Sequence, residues 1–145
     1  MIGRRRKVPV REKRRSVSEV SPLRILIVED NRDSADSLKT LLEALRYDAH
    51  VVYDGESGVQ SSTTLRPDVI VMDIGLPGIS GYEAARQIRA RNPDGRPTIV
   101  ALTGWGQHAD RQQSAQAGID HHLVKPLDLA ALKQILDSLP RPATR

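Results

Sequence analysis

Asp68-Val69-Ile70-Val71-Met72-Asp73 is the stretch on which the fold turns. Four consecutive apolar residues between two acids read as a strand buried on both faces, as the strands of parallel sheets are. A loop rich in Gly and Pro follows at once, Ile74-Gly75-Leu76-Pro77-Gly78-Ile79-Ser80-Gly81. Open parallel sheets bind ligands outside the carboxyl ends of their strands, so Asp73 is expected at the mouth of a crevice on a rigid support.

Outward from that strand, the chain switches repeatedly between strand and helix patterns. Residues 23–28 form an apolar run broken only by Arg24, and it ends in Glu29-Asp30. Residues 31–46 carry Ala35, Leu38, Leu41, Leu42 and Leu45 at helical spacing, with Asn31 or Asp33 available as the cap. A short strand over 49–53 ends in Asp54-Gly55, and a weaker helix over 55–65 is stopped by Pro67. After the Asp73 strand come a helix over 82–90 and a strand over 98–102 that ends in Thr103-Gly104. A polar helix over 107–117 is closed by Gly118, and a strand over 120–124 ends in Lys125-Pro126. Asp128 caps a last helix with Leu129, Leu132, Ile135, Leu136 and Leu139 on one face. Five strands alternating with five helices over short connections predict an α/β fold, a doubly wound parallel sheet covered on both sides.

Composition narrows the chemistry. There is no Cys, which excludes disulfides, thiolate catalysis and Cys-based metal sites. Apolar runs reach only about four residues against the roughly 20 that a membrane-spanning helix needs. The charge is split unevenly: residues 1–15 hold eight Lys or Arg against one acid, Glu12. The rest of the chain holds 14 bases and 17 acids, a net of −3. Residues 1–22 therefore read as a basic, disordered arm, 23–140 as one folded domain and 141–145 as a short tail. The arm allows weak, salt-dependent contacts with nucleic acid or an anionic membrane. No apolar core follows its charges as a secretory signal requires.

The strand ends carry the chemistry. Strands one, three, four and five end on Glu29-Asp30, Asp73, Thr103 and Lys125, and in a parallel sheet these ends share one edge. Taken singly, an Asp after a strand is a turn residue or cap, and a Lys-Pro pair carries no meaning. Together they form a crevice with three carboxylates, which repel unless a cation joins them. A hard divalent ion such as Mg²⁺ suits an all-oxygen site and bridges carboxylates to phosphate. Lys125 adds a point charge for a phosphoryl oxygen and Thr103 a hydroxyl. The set fits phosphoryl transfer onto Asp73, giving an aspartyl phosphate by positioning and charge neutralisation.

The stretches ILIVEDN, VIVMDIGLPGISGYE, IVALTGWG and HHLVKPLDLAAL resemble the receiver domain of bacterial two-component response regulators. The resemblance runs from Leu23 to about Leu139. It implies a flavodoxin-like sheet of order 2-1-3-4-5, an order for which a chemotaxis receiver is one of the standard examples. It further implies that Asp73 is the phosphoacceptor, that Asp30 ligates Mg²⁺ (or Mn²⁺) directly, and that Glu29 assists through water. The backbone carbonyl of Gly75 is implied as a further metal ligand. Lys125 is implied to contact the phosphoryl group, Thr103 to swing toward it, and the Lys125-Pro126 peptide to be cis. The implied partners are a histidine kinase or histidine phosphotransfer protein and a downstream protein bound through helix four, strand five and helix five. Such a receiver is expected in the cytoplasm as a monomer or weak dimer, catalysing only its own phosphorylation and dephosphorylation. The chain's end about five residues beyond the last helix leads to the expectation of a stand-alone receiver, and the LTGWG and DHHLVKPLDLAAL stretches resemble receivers fused to hybrid histidine kinases.

Three positions depart from the common family pattern. His122 stands where Tyr or Phe is usual, three residues before Lys125, so its coupling to Thr103 is expected to be altered or pH-sensitive. Gly75 offers no side chain to orient an attacking water. Trp105, two residues beyond Thr103, is expected to shield the acyl phosphate and lengthen its lifetime. His108 and His121 are expected at the surface. Rival readings are a nucleotide- or flavin-binding module, for which a Gly-rich loop should replace Glu29-Asp30-Asn31, and nucleic-acid binding through the arm.

Overall fold

The computed structural model describes residues 21–104 and 111–142. Five parallel strands lie in the order β2-β1-β3-β4-β5. They are β1 (Arg24–Val28), β2 (Asp48–Val52), β3 (Val69–Asp73), β4 (Thr98–Thr103) and β5 (His121–Val124). The helices between and after them are α1 (Arg32–Ala44), α2 (Gly55–Thr64), α3 (Gly81–Arg91), α4 (Arg111–Ala117) and α5 (Leu129–Asp137). The flavodoxin-like architecture and strand order are those expected. Several boundaries differ by a residue or two, the usual latitude at element ends. The expected first turn of α4, residues 107–110, lies outside the described residues.

The apolar runs are continuous because both faces of the sheet are covered. Ile25, Ile27, Val69, Val71, Val100 and Leu102 point to one side and pack with Ala35, Leu38 and Leu42 of α1 and Leu132 and Leu136 of α5. Their neighbours Leu26, Val28, Ile70, Met72, Ile99 and Ala101 point to the other, against Val59 of α2, Ala84, Ala85 and Ile88 of α3, and Ala117 of α4. That alternation is the strand period of two resolved into two cores. Leu41 and Leu45, grouped by helical spacing with the core residues of α1, are instead 48% and 38% exposed. Leu41 borders an open cavity beside α1, and Leu45 is the residue that caps the helix's C-terminus.

Local signals start the helices. Asn31, the cap chosen over Asp33, accepts the N–H of Ser34, and Asp54, Ser80 and Asp128 accept from Ser57, Glu83 and Ala130. Gly118 has φ +82 and closes α4 as a left-handed residue.

One side chain ties the far end of α3 to the N-terminal edge of the sheet. Arg89 donates to the carbonyls of Gly118 (2.9 Å), Gly95 (3.0 Å) and Pro97 (2.6 Å) and to Asp120 Oδ2 (2.8 Å). Three of these acceptors are backbone groups with fixed positions, so the fork sets the entry angles of β4 and β5. That leaves the opposite, carboxyl edge free for chemistry.

Candidate functional site

The strand register brings the expected residues to one edge. Val28 of β1 lies opposite Met72 of β3, and Asp73, the last residue of β3, lies opposite Leu102 of β4. Thr103 lies opposite Val124 of β5, and Lys125 follows. Glu29, Asp73 and Thr103 are buried, whereas Asp30 is exposed.

Lys125 sits between two of the acids. Its Nζ donates to Glu29 Oε1 at 2.6 Å and to Asp73 Oδ2 at 3.0 Å. Backbone groups hold the second oxygen of each carboxylate: Asn31 N–H donates to Glu29 Oε2 at 3.0 Å, and Gly75 N–H to Asp73 Oδ1 at 2.8 Å. Both carboxylates are therefore oriented before any ligand arrives. Burial works against the Lys125 ammonium, but its hydrogen bonds to Glu29 and Asp73 and their negative charges outweigh that, so its pKa is raised. The lysine is a fixed cation across the neutral range. The Lys125–Pro126 peptide is cis.

Glu29, Asp30 and Asp73 each offer a carboxylate oxygen, all within 4.8 Å of one another. Three carboxylates with one ammonium leave two negative charges uncompensated among these four groups. The donor set is all hard oxygen, without thiol or imidazole. A divalent ion with oxygen ligands at about 2.1 Å can draw such a set together with small adjustments. The residues present fit Mg²⁺ by charge and by donor type.

Thr103 Oγ1 turns toward the Leu123 carbonyl at 3.5 Å, the outer limit of a hydrogen bond. His122, in β5 opposite Ala101, places Nε2 at 2.7 Å from Ser114 Oγ of α4. His121 is half-buried rather than exposed. Trp105 and His108 lie outside the described residues. Beside the crevice, a cavity of about 550 Å³ runs between α1 and the loop after β5, lined among others by Leu38, Leu41, Leu127, Leu129 and Lys125.

Two contributors escaped the sequence reading. The Asn31 amide that holds Glu29 is a backbone group, which residue identity does not advertise. Gly81 packs so closely under Asp73 that a Cβ there would lie 2.6 Å from the Asp73 carbonyl oxygen. The local signal around it, Ser80 accepting the Glu83 N–H at 3.2 Å, marks the helix start and not this close approach.

A doubly wound sheet with an acidic, lysine-bridged crevice at its carboxyl edge defines the receiver class of signalling domain, and comparison with known proteins agrees. The response regulator receiver domain family matches residues 25–137. Response regulator ArlR of Staphylococcus saprophyticus is 34% identical over 109 residues, covering 75% of this chain and 48% of that protein. The receiver domain of sensor histidine kinase PA1611 from Pseudomonas aeruginosa PAO1 was solved with a magnesium ion coordinated in its active site cleft. It is 38% identical with a TM-score of 0.72, over 81% of this chain and 96% of that one. The receiver domain of Saccharomyces cerevisiae Ssk1, solved with the histidine phosphotransfer protein Ypd1, is 29% identical with a TM-score of 0.71, over 80% and 87%. The chain belongs to the response regulator receiver domain family of two-component systems. It spans about half the length of the curated response regulators it matches. Among the described residues no helix is long and apolar enough to cross a membrane. The rival nucleotide- or flavin-binding reading needed a Gly-rich loop after β1, and Glu29-Asp30-Asn31 stands there.

Proposed function

We propose that this receiver takes a phosphoryl group from a phosphohistidine onto Asp73. The observation that carries the reading is the Lys125 ammonium held between Glu29 and Asp73 beside an acidic oxygen cluster. An Asp73 oxygen attacks phosphorus in line as the P–N bond to the donor imidazole breaks, and the imidazole nitrogen keeps the electron pair. Asp73 is pre-aimed for this by the Gly75 amide, and Lys125 stands where a new phosphoryl oxygen gains negative charge. Glu29, Asp30, Asp73 and the Gly75 carbonyl are the groups that would hold Mg²⁺ or Mn²⁺. Such an ion, when bound, neutralises the carboxylates and the transferred group.

A histidine kinase or phosphotransfer protein is the donor in this reading, as the Ypd1–Ssk1 pairing supports by analogy. Thr103 and His122 then bias the face made by α4, β5 and α5 toward a second partner, a population shift between two forms. A cytoplasmic setting, a folded unit over 23–140 and a separate basic arm belong to the same reading. The test is incubation with a small phosphodonor and Mg²⁺ followed by intact mass. Wild type is expected to gain one phosphoryl group, and Asp73→Ala and chelated wild type none. Equal gain in the Asp73 variant would sink the assignment.

Gly75 and Trp105 set how long the acyl phosphate survives. Gly75 has no side chain to aim a water, and Trp105, which lies outside the described residues, is assigned the role of restricting access of one. Trp105→Ala is expected to speed loss of the phosphoryl group by several-fold in a mass time course. An unchanged half-life contradicts the role.

A further inference from the structure

Little apolar surface attaches the described residues of α4 to the sheet. Of the side chains described in this seven-residue helix, only Ser114 and Ala117 are buried, at 1% exposure each. Over these described residues the helix depends on those two anchors. One of the two anchors is polar. A buried hydroxyl costs free energy unless it is hydrogen-bonded, and the Ser114 hydroxyl meets His122 Nε2 at 2.7 Å. Either tautomer of the imidazole satisfies it, donating to Oγ or accepting from it. The Ser114 carbonyl also accepts the Ile119 N–H at 3.0 Å, so the turn into β5 is fixed at the same residue.

The other end of this contact lies on the strand that leaves the crevice. His122 is held in the ladder opposite Ala101, and the Thr103 hydroxyl reaches the carbonyl of Leu123, the next residue. At 3.5 Å that bond is weak and cheaply surrendered. The crevice hydroxyl and the polar anchor of α4 thus act on adjacent residues of one short edge strand. Loss of the Ser114–His122 hydrogen bond would leave Ala117 as the other buried side chain among the described residues of α4.

We infer that the Ser114–His122 hydrogen bond is a latch that fixes α4 on β5 in the unphosphorylated protein, and that phosphorylation of Asp73 acts on the output face by releasing it. The latch stands on the geometry of α4 and β5, while its release rests on the Asp73 reading above. Ser114 and His122 are positioning residues, acting through α4 and touching no substrate.

Ser114→Ala, His122→Leu and the double variant test this with two readouts. Amide hydrogen exchange of the unphosphorylated protein reports the latch. Each single variant is expected to exchange roughly three- to tenfold faster across α4, the worth of one net hydrogen bond, with β1 and β3 unchanged. The double variant is expected to exchange no faster than the faster single one, since both substitutions remove the same bond. Calorimetric titration with beryllium fluoride in saturating Mg²⁺ reports the coupling. Both single variants are expected to bind this phosphoryl mimic roughly three- to tenfold tighter, because less of the population is held in the resting form. Affinity for Mg²⁺ alone stays at the wild-type value. Unchanged α4 exchange in Ser114→Ala, or additive effects in the double variant, overturn the latch. Faster α4 exchange with unaltered beryllium fluoride affinity overturns its release by phosphorylation. If wild type itself binds no beryllium fluoride, the Asp73 reading fails, and the exchange data still decide the latch.

Discussion

Gly81→Ala is expected to destabilise the domain by about 2–3 kcal/mol and to slow phosphorylation of Asp73 roughly 10- to 100-fold. The added methyl would sit 2.6 Å from the Asp73 carbonyl oxygen and 2.7 Å from the Ile74 Cα, both backbone atoms with no rotamer by which to escape. Either the first turn of α3 lifts or the end of β3 bends. The Gly81 N–H donates to the Ile74 carbonyl at 2.9 Å, so lifting the helix also strains that bond. Bending β3 moves the Asp73 carboxylate away from Lys125 and from the Gly75 amide that aims it. Chemical denaturation and a phosphorylation time course check the two halves separately. A variant with lowered stability but wild-type phosphorylation would show that the helix, and not the strand end, had yielded.

Gly81 also marks what was and was not legible in the sequence. The strand periodicity and the acid, threonine or lysine at four strand ends were local patterns, and they sufficed to place Glu29, Asp73, Thr103 and Lys125 on one edge. Parallel pairing forces that result, because a strand's direction decides which of its ends is shared. The sheet order itself came through family likeness, since an alternating pattern of strands and helices is compatible with more than one winding. The close approach of Gly81 to Asp73 is a tertiary contact between residues eight positions apart, and no periodicity encodes it.

The same distinction separates the two ends of the His122 contact. His122 drew notice as a departure from the family's usual aromatic residue at that position. Ser114 looked like one more polar residue in a polar helix. Its burial follows from how α4 lies on β5, which neither stretch specifies alone. Leu41 and Leu45 show the converse: helical spacing put them with the core of α1, but Leu41 borders an open cavity and Leu45 caps the helix end.

Lys125→Ala is expected to slow phosphorylation about 100-fold while tightening Mg²⁺ binding. The two effects have one cause. Without the ammonium, the Glu29, Asp30 and Asp73 carboxylates face each other with no cation among these groups, and a divalent ion gains more by joining them. In the proposed reading the transferred phosphoryl group, however, loses the ammonium that would meet its oxygen. Without a divalent ion, stability should fall by about 1–3 kcal/mol, a value discounted because the Lys125 side chain is 31% exposed. Saturating Mg²⁺ should recover most of that loss by mass action. The pH dependence has a definite sign. The folded pKa of Lys125 is raised, so in wild type its pairing stabilises fully below the unfolded value of about 10.4. That contribution fades as pH climbs through the higher folded pKa, and the gap between wild type and variant should close there. Denaturation curves across pH 7 to 11, with and without Mg²⁺, measure both effects. A variant that binds Mg²⁺ more weakly than wild type would mean that Lys125 organises the carboxylates more than it competes with the ion for them.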